Sequence, residues 1–292
     1  MLIFSGSLPA TRLAVLQIDP LFLTFARAGI AGLLALLWLI VLKERRPARR
    51  DLGPLLVVAL TVVIGFPLFS ALALRSITAA RGLVFIGLLP LSTAAFGVWR
   101  GGERPPVSFW IFALLGAGLV VGYAVTRGGA VGSPIGNILM GLAVLVCGLG
   151  YAEGARLSRH LGGWQTISWA LVYALPVMLP LAYWQAPASW SSIGWSALTG
   201  LAYVSLFSML IGFIFWYRGL ALGGIAAVGQ LQLLQPFFGL VLAAGLLHEP
   251  VGWDLLAVSL GVVFCVTAAK RVAASGTSGA STKQQATLAP TR

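Results

Sequence analysis

The sequence predicts an all-α polytopic membrane protein of ten transmembrane helices, arranged as two inverted five-helix repeats. Three observations predict it. Charged residues are scarce: 19 Lys and Arg plus 7 Asp and Glu make up 9% of 292 residues, against roughly 25% in a soluble domain. Apolar runs of bilayer-spanning length recur between these charges, with mean hydropathy +0.96 overall and about 20 residues needed per crossing. Finally, a proline and a glutamate recur at one spacing in both halves of the chain.

Charges and breakers place the helices at 1–17, 20–43, 52–74, 78–100, 106–126, 135–158, 163–185, 192–217, 224–247 and 251–271. Helix 1 lacks a charged flank and contains Pro9 and Arg12; without a basic n-region or a cleavage pattern it does not read as a signal peptide. A start placed too far downstream, which would leave helix 1 short, is an equal reading of that end. Asp19-Pro20 is an N-cap followed by proline at the first helical position, a start signal for helix 2. The uncharged stretch from Leu161 to Tyr217 is too long for one helix and divides at Gln185-Ala-Pro-Ala-Ser-Trp-Ser-Ser192. The Ser-, Thr-, Ala- and Gln-rich tail, 273–292, reads as disordered.

Ten spans sort the basic residues by side. Lys43, Arg45, Arg46, Arg49, Arg50, Arg100, Arg104, Arg156, Arg159, Arg218, Lys270, Arg271, Lys283 and Arg292 fall on one side; Arg12, Arg75, Arg81 and Arg127 fall on the other. The positive-inside rule makes the richer side, and both termini, cytoplasmic in a cell inner membrane. This segregation accounts for the net charge of +12 without nucleic acid.

Leu89-Pro90 is followed 13 residues later by Glu103, and Gln235-Pro236 is followed 13 residues later by Glu249. The offset is five helices, an odd number, so the second copy must cross in the opposite sense. The repeats are 1–126 and 135–271. Inverted repeats are typical of secondary transporters, with substrate held near the midplane between them.

At these residues the sequence resembles the EamA family of the drug/metabolite transporter superfamily. The resemblance rests on Leu-Pro and Glu-Arg-Pro around helix 4, on Gln-Pro and Glu-Pro around helix 9, and on Ser5-Gly-Ser-Leu-Pro-Ala-Thr-Arg12, Asp19-Pro-Leu and Arg27. It implies ten helices with cytoplasmic ends and transport, often export, of small metabolites such as amino acids or amphipathic drugs. Two departures stand out: a short first helix, and Gln230, Gln232 and Gln235 in helix 9 where apolar residues are usual.

No phosphate-cradling loop and no hydrolase or zincin signature is present in the sequence. His160 and His248 lie 88 residues apart. No catalytic residue, metal or cofactor is therefore assigned, and the partners expected are a small-molecule substrate and the bilayer. A membrane enzyme, or a non-transporting assembly or sensor protein, is the alternative from another class. Cys147 and Cys265 lie in apolar runs and read as packing residues.

Polar groups inside the spans carry the remaining information, because a charge at the bilayer centre costs roughly 2.5–3.5 kcal/mol. Glu153 is the one acid inside a predicted span. It is a candidate for substrate or proton coupling, against a simple pair with Arg156 at i,i+3. Arg27, two turns into helix 2, reads as an interhelical contact ahead of a carboxylate-binding group. Arg81 either snorkels outward or guards the cavity mouth. Gln232 and Gln235 share a face ahead of Pro236, which as a mid-helix proline would free the Gln232 carbonyl. With Pro90 in helix 4 they mark the expected cavity wall.

Tyr151, Trp169, Tyr173, Phe207, Phe213, Trp216 and Tyr217 offer an aromatic surface. Trp99, Trp110, Trp164, Trp184, Trp190, Trp195, Trp216 and Trp253 lie near span ends and read as an interfacial belt. Trp169 lies deeper. Gly118 and Gly122 form a small-residue face on helix 5, suited to packing within the bundle or in a homodimer. If Glu153 couples flux to protons, Glu153→Gln abolishes the pH-gradient dependence of transport in proteoliposomes; unchanged dependence discards that role.

Overall fold

A computed structural model describes residues 1–101, 107–126, 133–223, 232, 234–250, 252–265, 267–268 and 271. The described residues are helical, with no strand among them. The helices are α1 (Leu2–Val15), α2 (Pro20–Val41), α3 (Arg49–Ala73), α4 (Ala79–Arg100), α5 (Val107–Thr126), α6 (Pro134–Leu161), α7 (Gly163–Trp184), α8 (195–223), α9 (Gln235–Leu247) and α10 (Trp253–Cys265). Six of these, α2, α3, α4, α6, α7 and α8, are long and apolar enough to cross a membrane. Gln230 and the rest of 224–231, Glu103, Arg104, Arg127, Lys270 and the tail lie outside the described residues.

Where residues are described, the helix ends follow local chemistry. The Asp19 carboxylate accepts from the Leu21 amide at 2.8 Å, and Pro20 opens α2 at a position that needs no donor. Helix 1, the least marked in the sequence, is a real element: Leu8 and Ala14 are buried, and Arg12 donates to the Leu74 carbonyl at the end of α3. It is divided at Gly6 into Leu2–Ser5 and Ser7–Val15. Pro9, in the first turn of the second piece, has no N–H to give the Ser5 carbonyl.

Helix 4 is not the continuous 78–100 that hydropathy predicts. Ala79–Ile86 ends before Leu88, and Leu89–Gly101 restarts with Pro90 near its N-terminus. Pro236 corrects its own reading in the same way. It sits in the first turn of α9, where no amide is owed, and Gln232 precedes the helix. Two further departures from periodicity are π-helical: Ala59–Gly65 inside α3 and Val204–Ile211 inside α8. They begin 145 residues apart and end 146 apart, while Leu89 and Gln235, which open the two proline-marked helices, also lie 146 apart.

Polar contacts sort the helix ends into two groups. At one end lie Arg12 with Leu74, Arg75 beside Asp19 at 3.9 Å, Gln17 accepting from the Gly194 amide at 2.6 Å, and Arg81 donating to Asn137 at 2.9 Å. Glu249 joins this group, accepting from the Ala79 and Ala80 amides at 2.9 and 2.8 Å and so capping α4 from beyond α9. At the other end lie Arg100, Glu153 and Arg156, together with Asp51 and His160 at 3.0 Å. The first group holds Arg12, Arg75 and Arg81, the second Arg50, Arg100 and Arg156, so the two basic sets stay apart.

Much of the described exterior along the spans is apolar. Leu37, Val41, Tyr183, Trp184, Trp195, Trp253 and Phe264 are exposed, an arrangement suited to lipid and not to water. Inside, α2 lies along α7, and one face of α6 packs against α3, α4, α7 and α8 while Ile135, Ile138, Leu142 and Leu145 on its other face are exposed. Glycines permit this approach. A Cβ at Gly148 would overlap Ser92, side chain and backbone, and one at Gly154 would strike the Tyr217 ring. A Cβ at Gly118 would meet nothing within 4 Å among the described residues. Cys147 and Cys265 are buried free thiols.

Gly148→Ala should therefore cost about 1–3 kcal/mol through overpacking, read as a lower melting temperature of the purified protein in detergent. Gly141→Ala on the same helix, whose Cβ would meet nothing within 4 Å, should be neutral. Equal melting of the two variants would refute the close approach of α6 to α4 at Gly148.

Candidate functional site

The interruptions of α1, α3, α4 and α8 and the start of α9 converge. Seven helices line one enclosed space: α1 with Phe4, Ser7 and Leu8, α2 with Arg27, α3 with Val62 and Phe66, α4 with Leu89, α6 with Tyr151, α8 with Ser208 and Phe213, and α9 with Gln235. Its free volume is about 10 Å³, room for about one water. A wider groove of about 350 Å³ on the outside is lined by Leu34, Leu37, Trp38, Val41, Leu206, Leu210 and Ile211. That groove is wholly apolar and faces lipid, so it offers no group for recognising a polar solute.

The polar atoms of the enclosed space form a short network. Ser7 Oγ and Ser208 Oγ lie 2.7 Å apart, Arg27 Nη2 donates to Ser208 Oγ at 3.4 Å, and Gln235 Nε2 donates to the Phe4 carbonyl at 3.3 Å. The Phe4 carbonyl can accept because α1 is interrupted at Gly6; Ser208 belongs to the π-helical stretch of α8. Arg27 is 3% exposed, and its Nε has no partner. The walls are aromatic: Phe4 meets Phe213 edge-on at 5.1 Å, Tyr151 meets Phe213 at 5.8 Å, and Trp216 lies 6.3 Å from Phe4 and 5.6 Å from Tyr151.

Among the residues singled out from sequence, Gln235 and Arg27 reach this space, and Tyr151 and Phe213 supply part of its wall. Trp216 is not interfacial; it is 4% exposed and packs on that wall, because the aromatic rings gather around Phe4. Pro90 and Pro236 are buried next to the lining residues Leu89 and Gln235 without lining it themselves. Gln232 is buried with neither amide atom paired. Trp169 stacks on Tyr173 at 5.8 Å along α7, away from the space.

Arg81 does not snorkel. It is 2% exposed, bound to Asn137, with its guanidinium 5.3 Å from the centre of the Tyr123 ring. Glu153, wholly buried, pairs with Arg156 at 3.1 Å as its spacing predicts, and also with Arg100 at 3.0 Å, a contact between α6 and α4 that the sequence does not reveal. Sequence reasoning missed the hydroxyls of Ser7 and Ser208. Ser208 stands in a long uncharged run, where a small hydroxyl normally bonds its own helix, and nothing local marks it as facing a cavity.

Comparison with known proteins agrees with this arrangement. The EamA-like transporter family matches the chain in two segments, residues 1–124 and 134–269. The uncharacterized transporter YdeK of Bacillus subtilis is 65% identical over 273 residues, covering 94% of this chain and 95% of its own. The uncharacterized transporter sll0355 of Synechocystis sp. is 25% identical over 268 residues, covering 85% of this chain and 81% of its own. A solved crystal structure superposes on 93% of this chain and 94% of its own with a TM-score of 0.63 at 18% identity, a likeness of fold alone. With apolar spans, a polar space at the heart of the bundle and family matches in both halves, the chain belongs to the EamA-like transporter family and is a multi-pass membrane transporter.

Proposed function

We propose that this protein is a secondary transporter of the cell inner membrane that exports a small organic metabolite by alternating access. The observation that carries the reading is the enclosed polar space at the meeting point of four interrupted helices and the start of α9, with polar contacts closing the bundle at both ends. Interrupted helices at membrane depth are tolerated where they line a cavity, and in transporters they build the substrate site.

Ten spans in two inverted repeats fit the two family matches and the 145–146-residue recurrence of π-helical and proline-marked positions. The Arg-rich end, with Arg100 and Arg156, is then cytoplasmic. Helices α3, α4, α8 and α9 move against the others. Opening to the cytoplasm requires release of Arg100 from Glu153 and of His160 from Asp51. Opening to the outside requires release of Arg12 from the Leu74 carbonyl, Arg75 from Asp19 and Arg81 from Asn137. Glu153 and Arg81 thus have their strongest role as closing contacts, with proton coupling through Glu153 the further reading.

Accessibility tests the cycle. In a background with Cys147→Ala and Cys265→Ala, single cysteines placed at Ser208, Gln232 and Gln235 should react with impermeant thiol reagents from each face in turn, and the balance should shift with an imposed gradient. Labelling from one face under all conditions would reject alternating access and favour a non-transporting assembly or sensor protein. Growth protection against a panel of toxic amino-acid analogues and cationic drugs then sorts the exported class.

A further inference from the structure

The charge of the central space distinguishes between substrate classes. Arg27 is a guanidinium inside α2, and among the described residues it has no carboxylate within 4.0 Å. Among the described acids, Asp51 is engaged with His160 and Arg50, Glu153 with Arg100 and Arg156, and Asp19 and Glu249 on helix N-termini, while Glu44, after α2, and Asp254, at the start of α10, do not line this space. A buried cation paired only with a serine hydroxyl at 3.4 Å is costly, because desolvation is offset neither by an opposite charge nor by a full set of acceptors. Two donors at this place lack acceptors, Arg27 Nε and the indole N–H of Trp216, which packs on the aromatic wall. Ser208 accepts from Arg27 and lies against Ser7, so one hydroxyl hydrogen of that pair remains to donate.

From this we infer that Arg27 is the anion-binding residue of the transport site, and that the substrate is a small organic carboxylate whose apolar body packs on Phe4, Tyr151 and Phe213. The inference rests on the transporter reading above and adds the substrate's charge. One guanidinium with two hydroxyls suits a monoanion, whereas a dianionic phosphate would leave a full charge uncompensated in an aromatic pocket. An organic cation finds no acid facing this space among the described residues: Glu153 is held between two arginines, and Asp51 pairs with His160 near the N-terminal end of α3. The present volume of about 10 Å³ admits no such molecule. The carboxylate enters when one end opens, and its pairing with Arg27 supplies the compensation that the empty bundle lacks.

Melting of the full-length protein in detergent, with benzoate, phenylacetate and hexanoate each tested beside its amide and its amine counterpart, reads the preference. Carboxylates should raise the melting temperature where amides and amines do not. The apparent affinity for the stabilising carboxylate should fall at least about tenfold in Arg27→Gln, from loss of a charged hydrogen bond, with partial retention in Arg27→Lys. Ligand-free Arg27→Gln should melt at or above the wild-type temperature, since an uncompensated charge has been removed. The inference is overturned if no carboxylate stabilises the wild type, if amide or amine does so equally, or if the carboxylate effect survives in Arg27→Gln. A lower melting temperature for ligand-free Arg27→Gln would instead make Arg27 an interhelical tie, and an equal Arg27-dependent shift from sodium chloride alone would make the site one for inorganic anions; both overturn it. One-sided cysteine labelling with Arg27-dependent carboxylate binding intact would reject alternating access and leave the anion site standing. Two-sided labelling without carboxylate binding would do the reverse.

Discussion

Inside a bilayer no water is available to satisfy a backbone amide or carbonyl, and that constraint organises this molecule. A span can lose its regular hydrogen bonding only where other protein or an enclosed polar space compensates. Four helices depart from regularity, α1 at Gly6, α4 ahead of Pro90, and α3 and α8 through π-helical turns, and a fifth, α9, opens at Gln235-Pro236. All five contribute side chains to one central space. The Phe4 carbonyl, released by the interruption of α1, is answered by Gln235 from α9. Ser208, carried on the π-helical stretch of α8, is answered by Ser7 of α1 and by Arg27 of α2. Backbone irregularity and site are one feature seen at two scales.

Close packing is what lets so many helices reach a single point. Helix α6 approaches α4 and α8 closely because Gly148 and Gly154 present no Cβ to Ser92 and Tyr217. Two residues beyond each other on that helix, Tyr151 lines the space and Glu153 binds Arg100 nearer the Arg-rich end. One rigid element therefore joins the central space to the closing contacts at one end. Electrostatics divides the remaining charges: they cap helices, pair across helix ends or orient the chain, and Arg27 alone among the described cations faces the central space.

Much of the fold was legible because membrane sequences expose their constraints. Asp19-Pro20 marked the start of α2 and does cap it. Glu153 and Arg156 were legible as a pair because helical spacing is local. Arg100, 53 residues away from Glu153, was not, since nothing in a sequence says which helix lies opposite. Trp216 looked interfacial because a position near a span end is all that periodicity can report, yet the cluster of rings around Phe4 holds it inside. Helix α4 looked continuous because hydropathy averages over a break of two residues. Pro90 was noted, but what it does depends on where the helix restarts.

By itself the sequence determined the class of molecule, the approximate places of most of the described helices, an expected sorting of charge between two sides and the double spacing of proline and glutamate. These follow from solvent partition and local backbone chemistry, which act residue by residue. The tertiary structure alone decided that Arg27, rather than Glu153 or Arg81, faces the central space, and that Ser7 and Ser208, 201 residues apart, share a hydrogen bond there. Rotation and contact partners of helices are set by packing of the whole bundle, and a one-dimensional pattern does not encode which faces meet.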